Sequence, residues 1–186
     1  MVYKMNIAGY DRELPLCNLN ESLKIGAFVM FGDVELTIAC AKELLKRIPE
    51  HDIMLTAESK GIPLTYEMAR QSGENNYLLA RKMPKLYMTG VFESKVKSIT
   101  TAKEQTLYLD TKDAEFMKGK RVVIVDDVIS TGESLRALEK LVDDAGGIVV
   151  GKMAVLAEGE ASKRDDIIFL EPLPLFNAKG EPIPID

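Results

Sequence analysis

"RVVIVDDVISTGES", residues 121–134, decides the reading of this chain. Val122 to Val125 are apolar and β-branched, the composition of a buried strand. Asp126 and Asp127 follow, and after one apolar pair come Ser130, Thr131, Gly132, Glu133 and Ser134, leading into a helical pattern. Two adjacent carboxylates at the end of a buried strand have no packing use, because charge is costly to bury. They suit a strand that is opening into a loop around a polyhydroxyl or metal-bearing ligand. The turn after them is a helix N-terminus, where unpaired backbone N–H groups and the positive end of the helix dipole face outward. Hydroxyls and a glycine let an anion approach such a turn closely, and phosphate is its natural guest. A capping box, Ser130 with Glu133 three residues on, would use the same N–H groups. It would leave Asp126 and Asp127 unexplained.

Working outward, short apolar strands alternate with amphipathic helices. Residues 33–48 carry helical periodicity, with Asp33 as N-cap and Pro49 as stop. Strands are expected at 52–58, 77–81, 106–110, 122–125, 148–158 and 166–172, and helices at 63–72 and 132–144, the latter stopped by Gly146 and Gly147. The first thirty residues read as irregular, and the Pro-rich tail "LPLFNAKGEPIPID" as a surface segment. This order predicts an α/β chain with a parallel central sheet flanked by helices on both faces. Ligands bind such sheets beyond the carboxyl ends of the strands. Glu58–Gly61, Arg81–Lys85, Asp126–Ser134 and Glu158 are therefore expected on one edge.

Composition bounds the function. The chain has 186 residues, suited to a single domain spanning 1–186, with 46% apolar and 28% charged residues. A net charge of −5 argues against nucleic acid as a partner. No apolar run reaches the length of a membrane span, and no secretory signal is expected in "MVYKMNIAGYDRELPL". Cys17 and Cys40 read as reduced thiols, which points to the cytoplasm. The single His51 reads as a solvated loop residue, so His-based triads and metal sites are disfavoured. Neither GxxxxGK[ST] nor a GxGxxG after a strand occurs, which excludes a P-loop and a Rossmann dinucleotide site.

"VVIVDDVISTGES" resembles the 5-phosphoribosyl-1-pyrophosphate (PRPP) motif of type I phosphoribosyltransferases. "ESKG" (58–61) resembles the pyrophosphate loop of the purine enzymes, and "LARK" (79–82) their next strand with its Arg-Lys pair. The similarity runs from about Leu23 to Glu158 and is nearest the adenine and xanthine branch. It implies that Ser130, Thr131, Gly132, Glu133 and Ser134 hold the 5-phosphate. Asp126 and Asp127 would be the catalytic pair facing the ribose. Ser59, Lys60, Gly61, Arg81, Lys82 and Lys85 would meet the pyrophosphate. Mg²⁺ would be bound through PRPP, with Asp126 its one candidate protein contact. The resemblance also implies a small N-terminal hood over the base (1–32), a flexible lid (83–106) and a homodimer.

The base is read from three positions. "LKIGAFVMFGDVEL" resembles the base-covering segment of xanthine enzymes, with Leu23 as apolar wall. The asparagine of that branch falls on Met30, and the lysine that faces an oxo-purine falls on Glu158. The lid glutamate of adenine enzymes falls on Thr101, with Glu104 near. A carboxylate accepts from an amino group and repels an oxo group, so adenine is favoured and xanthine comes next. "SKGIPLTYEMA" and "VVIVDD" also resemble the PRPP-binding domain of purine repressors, so the alternative is a non-catalytic PRPP sensor. The residues ahead of Leu23 are too few for the DNA-reading domain that precedes it in those proteins.

Overall fold

The computed structural model describes residues 1–97 and 104–185. Ala8 and Gly9, both at positive φ, turn β1 (Val2–Ile7) directly into β2 (Tyr10–Asn18), with Ile7 opposite Tyr10. This is the hairpin turn whose twist suits flanking strands. β3 (Leu23–Gly26) pairs antiparallel with β2, and Phe176–Asn177 near the C-terminus adds to β3. The first thirty residues are thus largely a sheet, not irregular. Their alternation is hard to read because the outward positions of β1 are Val2, Lys4 and Asn6, with only Ile7 fully buried. The tail is likewise more than a surface segment, since Phe176 is fully buried and meets the Tyr3 ring at 4.9 Å.

After α1 (Val34–Leu45), capped by Asp33, the chain alternates β4 (Ile53–Ala57), α2 (Gly61–Ser72) and β5 (Leu78–Ala80). β6 (Val91–Lys97) and β7 (Glu104–Asp110) form an antiparallel hairpin, followed by α3 (Thr111–Met117). Then come β8 (Arg121–Ile129), α4 (Glu133–Asp144), β9 (Ile148–Glu158), a 3-10 turn at Gly159–Lys163 and β10 (Ile168–Leu173). The Phe176–Asn177 strand is β11. The strand expected at 106–110 therefore joins a hairpin rather than the central sheet. That hairpin occupies much of the stretch expected as a lid, of which 98–103 lie outside the described residues. Phe92 and Val96 pack it onto the core beneath the central sheet.

The central sheet runs β10-β9-β8-β4-β5 with every neighbouring pair parallel. α3 and α4 contribute to the core on one face, and α1, α2 and the N-terminal sheet to the core on the other. The chain leaves β4 for β5 on one side and later returns to β8 on the other. The carboxyl ends of β4 and β8 thus flank a topological switch point, where open α/β sheets bind ligands. His51 is not a solvated loop residue. Its Nδ1 lies 2.9 Å from the Pro49 carbonyl oxygen and its Nε2 3.0 Å from Glu74 Oε1, clasping the β4 approach to the end of α2.

Candidate active site

β8 does not end at Val125. It continues to Ile129 because β9 keeps pace, pairing Asp126 with Ala154 and Ile129 with Ala157. β4 pairs only as far as Leu55 with Ile124. The two carboxylates therefore stand on a strand that has lost one neighbour, rather than in an opening loop, and both are buried.

The Glu58–Lys60 loop closes the gap. Asp126 Oδ1 accepts from the Asp127 amide at 2.9 Å and lies 3.5 Å from Ser59 Oγ. A Cβ on Gly61 would sit 2.7 Å from Thr56 Oγ1 and 3.2 Å from Asp126 Cα, so only glycine lets the loop come this close. Lys60 Nζ donates to the Phe28 carbonyl oxygen at 2.7 Å and lies 3.0 Å from Asp127 Oδ2. The ammonium is aimed at Phe28, so Asp127 Oδ2 feels its charge yet accepts no aligned hydrogen bond. Burial and the neighbouring Asp127 push the Asp126 carboxyl above its usual range. Glu158, half-buried at the end of β9, is also raised by burial, with Lys60 partly opposing.

At one end of this pair lies the turn into α4. Gly132, at φ 77°, occupies the N-cap and has no side chain to cap with, while Thr131 Oγ1 accepts from the Glu133 amide at 3.5 Å. With Gly132 rather than Ser130 at the N-cap the capping box is not formed, and the first turn beyond Glu133 keeps the amide disposition that receives an anion. Ser130, Thr131 and Ser134 are exposed around it and Glu133 is half-buried. At the other end, Glu58 gathers the cations: Arg81 Nη1 and Lys85 Nζ each lie 3.1 Å from its Oε1, and the Lys82 amide donates to Oε2 at 3.3 Å.

The structure thus brings Ser59, Lys60 and Gly61 to Asp126 and Asp127, and Arg81, Lys82 and Lys85 to Glu58. Neither group includes Met30 or Leu23. Met30 is 1% exposed among residues of α1 and α2, and Leu23 sits half-buried on β3 with its carbonyl oxygen accepting from the Leu19 and Asn20 amides. Thr101 lies outside the described residues, as does the Glu104 side chain. Two neighbours of the site went unassigned in the sequence. One is Glu58, an acid heading a loop that faces a run of cations. The other is Arg164, whose Nη1 would lie 2.9 Å from a Cβ on Gly132 and whose other nitrogens bind Asp166, both at 2.8 Å.

A sequence profile of the phosphoribosyl transferase domain matches residues 33–178. The chain belongs to the phosphoribosyltransferase family. The family is one of glycosyltransferases, and this member resembles relatives named for different purines. It is 33% identical over 125 residues to a hypoxanthine/guanine phosphoribosyltransferase of Methanococcus voltae, covering 67% of this chain and 63% of that one. It is 28% identical to a xanthine phosphoribosyltransferase of Clostridium tetani, covering 80% and 79% of the two chains. It is 31% identical to an adenine phosphoribosyltransferase of Petrotoga mobilis, covering 69% and 70%. The fold matches the adenine phosphoribosyltransferase of Thermoanaerobacter pseudethanolicus with a TM-score of 0.70 at 24% identity, over 86% of this chain and 95% of that one. Among the described residues, no helix of this phosphoribosyltransferase is long and apolar enough to cross a membrane.

Proposed function

We propose that this chain transfers the phosphoribosyl group of PRPP to a purine base and releases pyrophosphate, as an enzyme of purine salvage. The observation that carries the reading is the buried Asp126–Asp127 pair between a glycine-headed helix N-terminus and a cluster of cations. A 5-phosphate fits the first end and a pyrophosphate the second, so the ribose between them meets the carboxylates. Asp127 Oδ2, which lacks an aligned donor, suits a ribose hydroxyl. As the bond to pyrophosphate breaks, positive charge grows on the ribose, and the buried pair stabilises that charge more than it stabilises the neutral sugar. The same acceptors fit a magnesium ion carried on PRPP oxygens, and that ion, when bound, neutralises charge on the leaving pyrophosphate.

Adenine is the base this site favours. Glu158 is a half-buried carboxyl at the end of β9, close enough to Lys60 to feel its charge, and Lys60 in turn donates to the Phe28 carbonyl oxygen. An ionised carboxylate offers only acceptors, which match the donors of a 6-amino group. The stretch 83–106 is read as the lid that keeps water from PRPP. The homodimer and cytoplasmic setting belong to the same proposal. An exposed apolar face of Val29, Phe31, Val34, Ile38 and Tyr66 supports a second copy, and sedimentation velocity reads it out.

The test is pyrophosphate release from PRPP and magnesium with adenine, guanine, hypoxanthine and xanthine in parallel, with PRPP binding by calorimetry. Turnover with adenine is expected. Xanthine as the preferred base refutes the role of Glu158, and PRPP binding without turnover on any base moves the chain to the sensor class.

A further inference from the structure

Glu58 is an acid in the middle of a site meant for an anion. It sits at the first position after β4, with its amide donating to the Ala80 carbonyl oxygen at 2.8 Å, so its backbone is tied to the end of β5. The next residue on that side, Arg81, exchanges two backbone hydrogen bonds with Tyr108 of β7, at 2.8 and 2.9 Å. Its guanidinium lies 5.9 Å from the Tyr87 ring. These backbone anchors fix where the side chains start and leave open where their charged ends go. Arg81 and Lys85 then converge on the same oxygen of Glu58, while its second oxygen takes the Lys82 amide. Two cations share one carboxylate oxygen, a closeness that like charges do not hold unaided. Burial raises the Glu58 carboxyl, but Lys85, the Lys82 amide and Arg81 outweigh it and hold the carboxyl below the usual range.

We propose that Glu58 is the positioning residue of the pyrophosphate site, converging Arg81, Lys85 and the Lys82 backbone on one spot before the ligand arrives. This rests on the reading of that cluster as the pyrophosphate site. Arg81 retains guanidinium N–H groups beyond the one directed at Glu58, and a lysine ammonium carries three donors, so the carboxylate organises the cations without exhausting them. A pyrophosphate then meets donors already gathered and does not bear the cost of ordering two long side chains. Only the pyrophosphate end of the substrate depends on this arrangement. The 5-phosphate end rests on α4 and the base end on the Phe28 and Glu158 region.

The experiment compares wild type, Glu58→Gln and Glu58→Asp. Calorimetry measures magnesium pyrophosphate and, separately, AMP, which lacks a pyrophosphate. Steady-state kinetics give KM for PRPP and kcat. Glu58→Gln is expected to weaken pyrophosphate by about tenfold or more and to raise KM for PRPP in parallel. AMP affinity stays at the wild-type value, and Glu58→Asp recovers part of the loss. Pyrophosphate binding by Glu58→Gln equal to or tighter than wild type overturns the positioning role alone. Equal loss of AMP and pyrophosphate also overturns it, because a general loosening of the fold then accounts for the effect. A wild-type chain that binds neither PRPP nor pyrophosphate overturns the reading of the site, and the role of Glu58 with it.

Discussion

Asp126 and Asp127 share a strand, yet their surroundings give them different work. Asp126 is satisfied by the backbone of its neighbour, whereas Asp127 keeps an oxygen without an aligned donor and has Lys60 beside it. Asp127→Asn is therefore expected to lower kcat by about two orders of magnitude, with much less effect on PRPP affinity measured by calorimetry. Equal losses in both count against a transition-state role. Asp126 also leaves a mark on stability. Its carboxyl is raised in the folded chain, so it favours folding most below its unfolded pKa, and that contribution declines as pH rises through the folded value. The melting temperature of Asp126→Asn is expected to gain on wild type as pH rises from about 4 to about 7. Asp33 has the opposite sign. Arg12 holds its carboxyl below the usual range, so its contribution is present above the unfolded pKa and is lost as pH falls through the folded one.

At the scale of elements, legibility followed how completely an element buries itself. β9 spans 148–158 as its apolar run implies, and the turn into α4 with its stop at Gly146 and Gly147 falls within a residue or two of expectation. β1, β2 and β6 are not legible in the sequence because charged residues on their outer faces dilute a two-residue alternation, and because strand partners are set by distant segments. Phe176 could not be placed from its Pro-rich context, since its burial depends on Tyr3 far back in the chain. β8 runs past Val125 to Ile129 because β9 continues to pair, although two aspartates break the apolar run. The residue classes at the site were legible and the partners of Glu58 were not, for they depend on how β4 and β5 end together. Two elements carry predictions. Gly61→Ala forces the loop away from Thr56 and Asp126, and turnover is expected to fall about tenfold or more with the fold retained by circular dichroism. Asp33→Ala removes the cap on α1 and the two hydrogen bonds from Arg12 of β2, at 2.7 and 3.0 Å. The expected cost is about 1–2 kcal/mol, read as a loss of several degrees in melting temperature.

At the scale of the molecule, three units of different origin meet at one crevice. The parallel sheet supplies the carboxylates and the turn into α4, the N-terminal sheet leads through β3 to Phe28, and the β6–β7 hairpin anchors Arg81 through Tyr108. In the proposed reaction each unit would meet a different part of the substrate. The most direct measurement is the stoichiometry of the reaction itself, with the purified chain incubated with PRPP, magnesium and adenine. The account predicts AMP and pyrophosphate in equal amounts, both formed about two orders of magnitude more slowly by Asp127→Asn. AMP formation that survives in Asp127→Asn at the wild-type rate, or PRPP consumed with no nucleotide formed from any purine, contradicts it.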